Sequence, residues 1–170
     1  EDLSLVLERE PDHVIALRTR AQLYGSTGRI EEAQVDVRRL TTVAPNDAET
    51  GFVKAAVAYY SKDYQRALDL IEATQTLDHA KDDPQSLQIQ GQCLRALGRH
   101  KEAIKSLGRI VELKPTDAMA RLQLGGACID AGESEQARIH LEKFLELTPP
   151  QAPQRAQVEA FLKGLAEQGK

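Results

Sequence analysis

The sequence has no tryptophan, three phenylalanines, four tyrosines and one methionine in 170 residues. Folds that fill their cores with aromatic and β-branched side chains, such as β-sandwiches and barrels, are therefore disfavoured. Two cysteines, Cys93 and Cys128, are too few for a disulfide framework or a metal site. No apolar run approaches the roughly 18 residues needed to span a membrane, so the chain is expected to be soluble, without direct membrane insertion. There is no excess of basic charge: 22 Lys and Arg face 26 Asp and Glu, for a formal net charge of −4. Nucleic-acid binding rests on cations neutralising phosphates and is not expected. What remains is an Ala- and Leu-rich chain, 41% hydrophobic, whose small side chains let helix axes approach closely. Its length suits one domain or a short repeat array.

Self-comparison reveals a period. Pro11 and Pro45 are 34 residues apart, as are Pro115 and Pro149 and also Gly98 and Gly132. Ala33, Ala67, Ala103 and Ala137 follow at steps of 34, 36 and 34. Each period reads as two helices. In the last, Leu122, Leu124, Gly125 and Cys128 form an apolar stripe, Gly132 interrupts it, and Ala137, Leu141, Phe144, Leu145 and Leu147 resume it up to Pro149. The mid-period glycine supplies the positive φ that ends a first helix. The alanine marks a crossing too close for a larger side chain, and the proline stops the second helix.

These residues resemble the tetratricopeptide repeat. The first copy carries Leu17, Ala21, Tyr24, Gly28, Ala33, Val37, Leu40 and Pro45, and the third Leu87, Gly91, Leu94, Gly98, Ala103, Leu107, Ile110 and Pro115. The fourth carries Gly125, Cys128, Gly132, Ala137, Leu141, Phe144 and Pro149, with Arg121 at the first position. The second copy is the poorest. Gapless counting puts Gly51, Lys62 and His79 at the first, glycine and proline positions. A one-residue shift would instead bury Phe52, Ala55, Ala56 and Tyr59 and expose Val53, Val57 and Tyr60. Both registers stay open.

The resemblance covers residues 14–151. It implies an all-α, right-handed α-solenoid of antiparallel helix pairs, with repeats at 14–47, 48–83, 84–117 and 118–151. Residues 1–13, with Leu3, Val6 and Leu7 before Pro11, read as the second helix of a truncated preceding repeat. The chain opens on Glu1 without a Met or leader, so it is expected to be cut from a longer array, with an uncovered N-terminal face through which it could self-associate. Residues 152–170 read as a C-terminal capping helix, with Val158, Phe161, Leu162 and Leu165 on one face. Of the repeats, 48–83 is expected to open first in hydrogen exchange.

No catalytic constellation and no cofactor motif is present. His13, His79, His100 and His140 fall at different phases of the period and read as solvated surface or turn residues. Cys93 and Cys128 read as buried thiols. Gly125-Gly126 lies inside a helix rather than between a strand and a helix, which excludes a phosphate loop. Glu31 and Glu32 open a second helix and serve its dipole.

The resemblance implies that the second, fifth, ninth and twelfth residues of each repeat line a concave groove. In this chain they are Ile15, Arg18, Gln22 and Gly25, then Glu49, Phe52, Ala56 and Tyr59 in the gapless register. The third and fourth copies give Gln85, Gln88, Gln92 and Arg95, then Met119, Leu122, Gly126 and Ile129. Arg18, Gln22, Phe52, Tyr59, Gln88, Gln92, Arg95, Leu122 and Ile129 are the candidate partner-binding residues. Amides and guanidinium groups can bond an extended peptide while the apolar side chains offer pockets. The Lys/Asn/Arg clamp of the family's chaperone-tail binders is missing, and so is the asparagine ladder of its glycosyltransferases, since Asn46 is the sole asparagine.

The expected function is a non-enzymatic protein-interaction module that holds an extended peptide or partner helix, acting as an assembly adaptor. The alternative is a segment of a larger enzyme or bacterial envelope or polysaccharide-export machine, whose catalytic or membrane part these repeats position. A cytoplasmic and a bacterial periplasmic setting both fit. The partner is expected to be a protein or peptide.

Overall fold

A computed structural model describes residues 2–76 and 82–168. Those residues form ten helices and no strand: α1 Leu3–Arg9, α2 Val14–Ser26, α3 Ile30–Val43, α4 Ala48–Tyr60, α5 Tyr64–Gln75, α6 Pro84–Ala96, α7 His100–Leu113, α8 Ala118–Asp130, α9 Ser134–Leu147 and α10 Arg155–Gln168. They fall into two compact units, 1–97 and 98–170. His79, which gapless counting puts at the proline position of the second copy, lies outside the described residues.

The period is written into the helix caps. Each of α2, α4, α6 and α8 is 13 residues long and follows an N-cap whose side chain accepts a backbone N–H three residues on. These caps are His13 Nδ1, Asp47, Asp83 and Asp117, at 3.1, 2.7, 2.8 and 3.0 Å from their donors. His13 is therefore a turn histidine that caps a helix. The solvated reading fails for His100, whose Nδ1 is buried without a partner among the described residues. It fails again for half-buried His140, whose Nδ1 lies 3.3 Å from Arg121.

The first helices end on residues of positive φ: Gly28 at 80°, Lys62 at 63°, Gly98 at 73° and Gly132 at 75°. After the first, second and fourth of these turns the chain closes a 6→1 bond, from Arg29 N–H to the Tyr24 carbonyl, from Asp63 to Ala58 and from Glu133 to Cys128. Lys62 at the glycine position selects the gapless register of the second copy. Packing agrees. Val53 and Val57, which the shift would expose, are buried, and Phe52 and Tyr59 are only half-buried, while Ala55 and Ala56 are buried as the shift would also have them. Gly51 faces Thr74, and a Cβ built on Gly51 would collide with Thr74 Oγ1. The shifted register is excluded.

In residues 2–97, α2 packs on α3 and α4, and α4 packs on α5 and α6. The first helices α2, α4 and α6 thus form one layer backed by α3 and α5. Leu7 of α1 joins Leu17, Ala21, Ala33, Leu40, Val53 and Val57 in one buried cluster. In residues 98–170, α8 packs against α7 and α9, and α10 lies on α9. There Val158 completes a cluster with Leu141 and Phe144, against which Phe161 and Leu162 rest. The periodic alanines Ala33, Ala67, Ala103 and Ala137 are all fully buried. Cys93 and Cys128 are buried too, and burial pushes the Cys93 thiol up to about 12, so it stays protonated and inert.

Candidate functional site

The exposed face of the α2–α4–α6 layer carries two adjoining cavities that share Gln22, Phe52 and Gln85. The first, of about 590 Å³, is bounded by Ile15, Arg18, Glu49, Phe52, Asp83 and Gln85 among others. The second, of about 360 Å³, is bounded by Phe52, Tyr59, Tyr60, Gln88 and Gln92 with Ile89. Helical spacing explains the assembly. Residues 18 and 22, 52, 56 and 59, and 85, 88 and 92 each recur at i, i+3 or i+4 and so share a face.

The two cavities differ in charge. Arg18 is only 17% exposed and pairs with Glu49 and, at 3.5 Å, with Asp47. Its Nε is buried without an acceptor among the described residues. Asp83 adds a further carboxylate to this wall, so the first cavity is acidic on balance although it contains an arginine. The second holds no charged side chain. Its wall is aromatic: the Tyr59 ring meets Tyr60 edge-on at 5.5 Å and Tyr64 at 5.9 Å. Burial pushes the Tyr59 phenol above its usual range, which keeps it a hydrogen-bond donor. Gly25 lets Tyr60 approach α2, since a Cβ there would come within 2.8 Å of Tyr60 Cδ2.

Six of the residues singled out from the sequence therefore meet on one surface: Arg18, Gln22, Phe52, Tyr59, Gln88 and Gln92. Arg95 is half-buried in the last turn of α6, near enough to Tyr59 to act on it electrostatically. Leu122 and Ile129 are on α8, within residues 98–170. Leu122 rests against the Leu141–Phe144–Val158 cluster, while Ile129 is 39% exposed. Sequence reasoning missed Asp83 as part of the groove wall and Asp47 as a partner of Arg18. Their regular place ahead of the first helices, at His13, Asp47, Asp83 and Asp117, was the available signal.

The described residues contain no group of His, Cys, Asp and Glu arranged to hold a metal. No described helix is long and apolar enough to cross a membrane.

Layered antiparallel helix pairs, a positive-φ turn within each and fully buried alanines at the crossings define an all-α helical-repeat fold of the α-solenoid class. The chain has the fold of tetratricopeptide-repeat proteins. The family model described as anaphase-promoting complex, cyclosome, subunit 3 matches residues 73–144. Over 93 residues, 55% of the chain, it is 31% identical to human anaphase-promoting complex subunit 7, covering 16% of that protein. It is 29% identical over 103 residues, 61% of the chain and 27% of the relative, to the SGT1 homologue of Oryza sativa subsp. japonica. The peroxisomal targeting signal receptor of Candida albicans is 27% identical over 120 residues, 70% of the chain and 20% of the receptor. The chain thus spans about a sixth to a quarter of the length of these relatives.

Among solved structures, a thermophilic TPR protein of Thermus thermophilus superposes with a TM-score of 0.80 at 18% identity, covering 94% of this chain and 87% of that one. YrrB, described as a TPR protein with an unusual peptide-binding site, superposes at 0.70 and 22% identity over 95% and 80% of the two chains.

Proposed function

We propose that the chain is a non-enzymatic adaptor that holds an extended segment of a partner protein along the face of α2, α4 and α6. The observation that carries this reading is the pair of adjoining cavities lined by Gln22, Gln85, Gln88 and Gln92 beside an aromatic wall. A carboxamide both donates and accepts, so a row of four can follow a peptide backbone whatever its sequence. Phe52, Tyr59 and Tyr60 then take up apolar side chains between the backbone contacts.

Arg18 has a structural part in this reading. With Glu49 and Asp47 on its guanidinium it fixes the groove wall and does not wait as a bare cation for an acidic side chain. Arg95 is carried as a further contact for longer partners, and Leu122 and Ile129 as separate candidate contacts within residues 98–170. The relatives' greater length supports a role as one segment of a larger assembly.

The test is a random-peptide display selection on the full chain. Selected peptides are then titrated against wild type and a Phe52→Ala/Tyr59→Ala/Gln88→Ala variant matched in helical circular dichroism. Binding lost in the variant supports the groove. Equal binding to both proteins rejects it.

A further inference from the structure

The other face of α4 borders a separate concavity. It has a volume of about 570 Å³ and lies between α3, the C-terminal half of α4 and α5. Its walls carry three cations, Arg38, Lys54 and Arg66, against one carboxylate, Asp63. That carboxylate is already engaged as the N-cap of α5, accepting the Arg66 backbone N–H at 3.3 Å. No side-chain hydrogen bond or ion pair occupies the three cations among the described residues. The floor is apolar, with Val57 buried and Leu70 half-buried.

The repeat explains why Lys54 has no carboxylate partner among the described residues. Lys54 stands 34 residues after Arg20, and Leu70 stands 34 after Asp36. In the first copy Arg20 makes a bidentate pair with Asp36, through Nε–H at 2.8 Å and an Nη2–H at 2.7 Å. In the second copy the cation is retained and the carboxylate has become leucine. Lys54 is thus left half-buried beside a hydrophobic floor, where water screens its charge less than at an open surface.

We propose that this concavity binds an acidic segment of a partner protein, its carboxylates on Arg38, Lys54 and Arg66 and an apolar side chain on Val57 and Leu70. Charge complementarity favours an anion and the apolar floor favours a peptide. No aromatic side chain lines the concavity to stack a base, and the chain as a whole carries a net charge of −4. The site shares no lining residue with the groove of α2, α4 and α6, so the two readings stand or fall separately.

The experiment is fluorescence anisotropy of the full chain with three labelled probes: a Glu/Leu peptide, its Lys/Leu counterpart and a single-stranded RNA oligonucleotide of the same charge as the acidic peptide. The acidic peptide should bind, more weakly as salt rises, and the basic one should not. Arg38→Glu/Arg66→Glu should weaken that binding at least about tenfold with circular dichroism unchanged. Leu70→Asp, which gives Lys54 the carboxylate that Arg20 has, should weaken it as well. Phe52→Ala/Tyr59→Ala should leave it unaltered. The proposal is overturned if the acidic peptide fails to bind, binds Arg38→Glu/Arg66→Glu as tightly as wild type, binds more weakly than the RNA, or is lost in the groove variant.

Discussion

The first and second helix pairs follow the same 34-residue period and are held together by different means. In α2 and α3, Leu17 and Leu40 sit in one buried cluster, and the cation Arg20 is tied to Asp36, itself only 1% exposed. In α4 and α5 the corresponding positions are Gly51, Thr74, Lys54 and Leu70. Two large apolar residues have become a glycine against a threonine, and an ion pair has become an isolated lysine over a leucine. Packing density is kept because both partners shrank together. The repeat therefore specifies distances between helices, and paired substitutions can satisfy those distances in more than one way.

The comparison can be broken hardest from the first pair. Leu40→Ala should cost about 2–5 kcal/mol in chemical denaturation, because the cavity cannot be filled by neighbours already in contact. Asp36→Ala should cost about 2–3 kcal/mol, somewhat less than loss from a fully buried pair, since Arg20 is partly exposed and can turn toward water. A loss no larger than that of an ordinary surface substitution would mean that the Arg20–Asp36 pair contributes little.

The second pair should fail in the opposite sense, by overfilling. Gly51→Ala should destabilise by about 1–3 kcal/mol because its Cβ meets Thr74. Adding Thr74→Ala should recover most of that loss, and a double-mutant cycle with no coupling would refute the compensation. At the turns the expected sign reverses between copies. Lys62→Gly should stabilise by about 0.5–1 kcal/mol, since a lysine at positive φ is strained, while Gly28→Lys should destabilise by about 1 kcal/mol.

The smallest effect is expected in the fourth copy, where His140 and Arg121 stand at the places of Asp36 and Leu17. Burial, and then the nearby Arg121, hold the His140 pKa below its ordinary value. The unfolded chain therefore takes up this proton first as pH falls through about 6.5, and stability declines until the folded histidine also protonates. His140→Gln should flatten the stability profile over that window and leave it unchanged above it.

Much of the fold was legible because its signals are local. Pro45, Pro115 and Pro149 stop helices, Gly28, Gly98 and Gly132 turn them, and the alanines at 33, 67, 103 and 137 mark their crossings, all within a single period. The groove was legible to the extent that it follows helical phase, which brought Arg18, Gln22, Phe52, Tyr59, Gln88 and Gln92 together. The register of the second copy was not legible. Phe52 and Tyr59 look better as core than Gly51 does until Thr74, 23 residues away, is seen to fill the space opposite.

By itself the sequence determined an array of paired helices and their phase. Tertiary structure alone decided which charges are spent and which remain. Arg18 is a candidate partner-binding cation in the sequence and is neutralised by Asp47 and Glu49 from the next repeat, whereas Lys54, which sequence reasoning did not single out, has no carboxylate paired with it among the described residues. The physical reason is that apolar periodicity is a property of neighbours along the chain, while electrostatic compensation is settled between helices about a repeat apart.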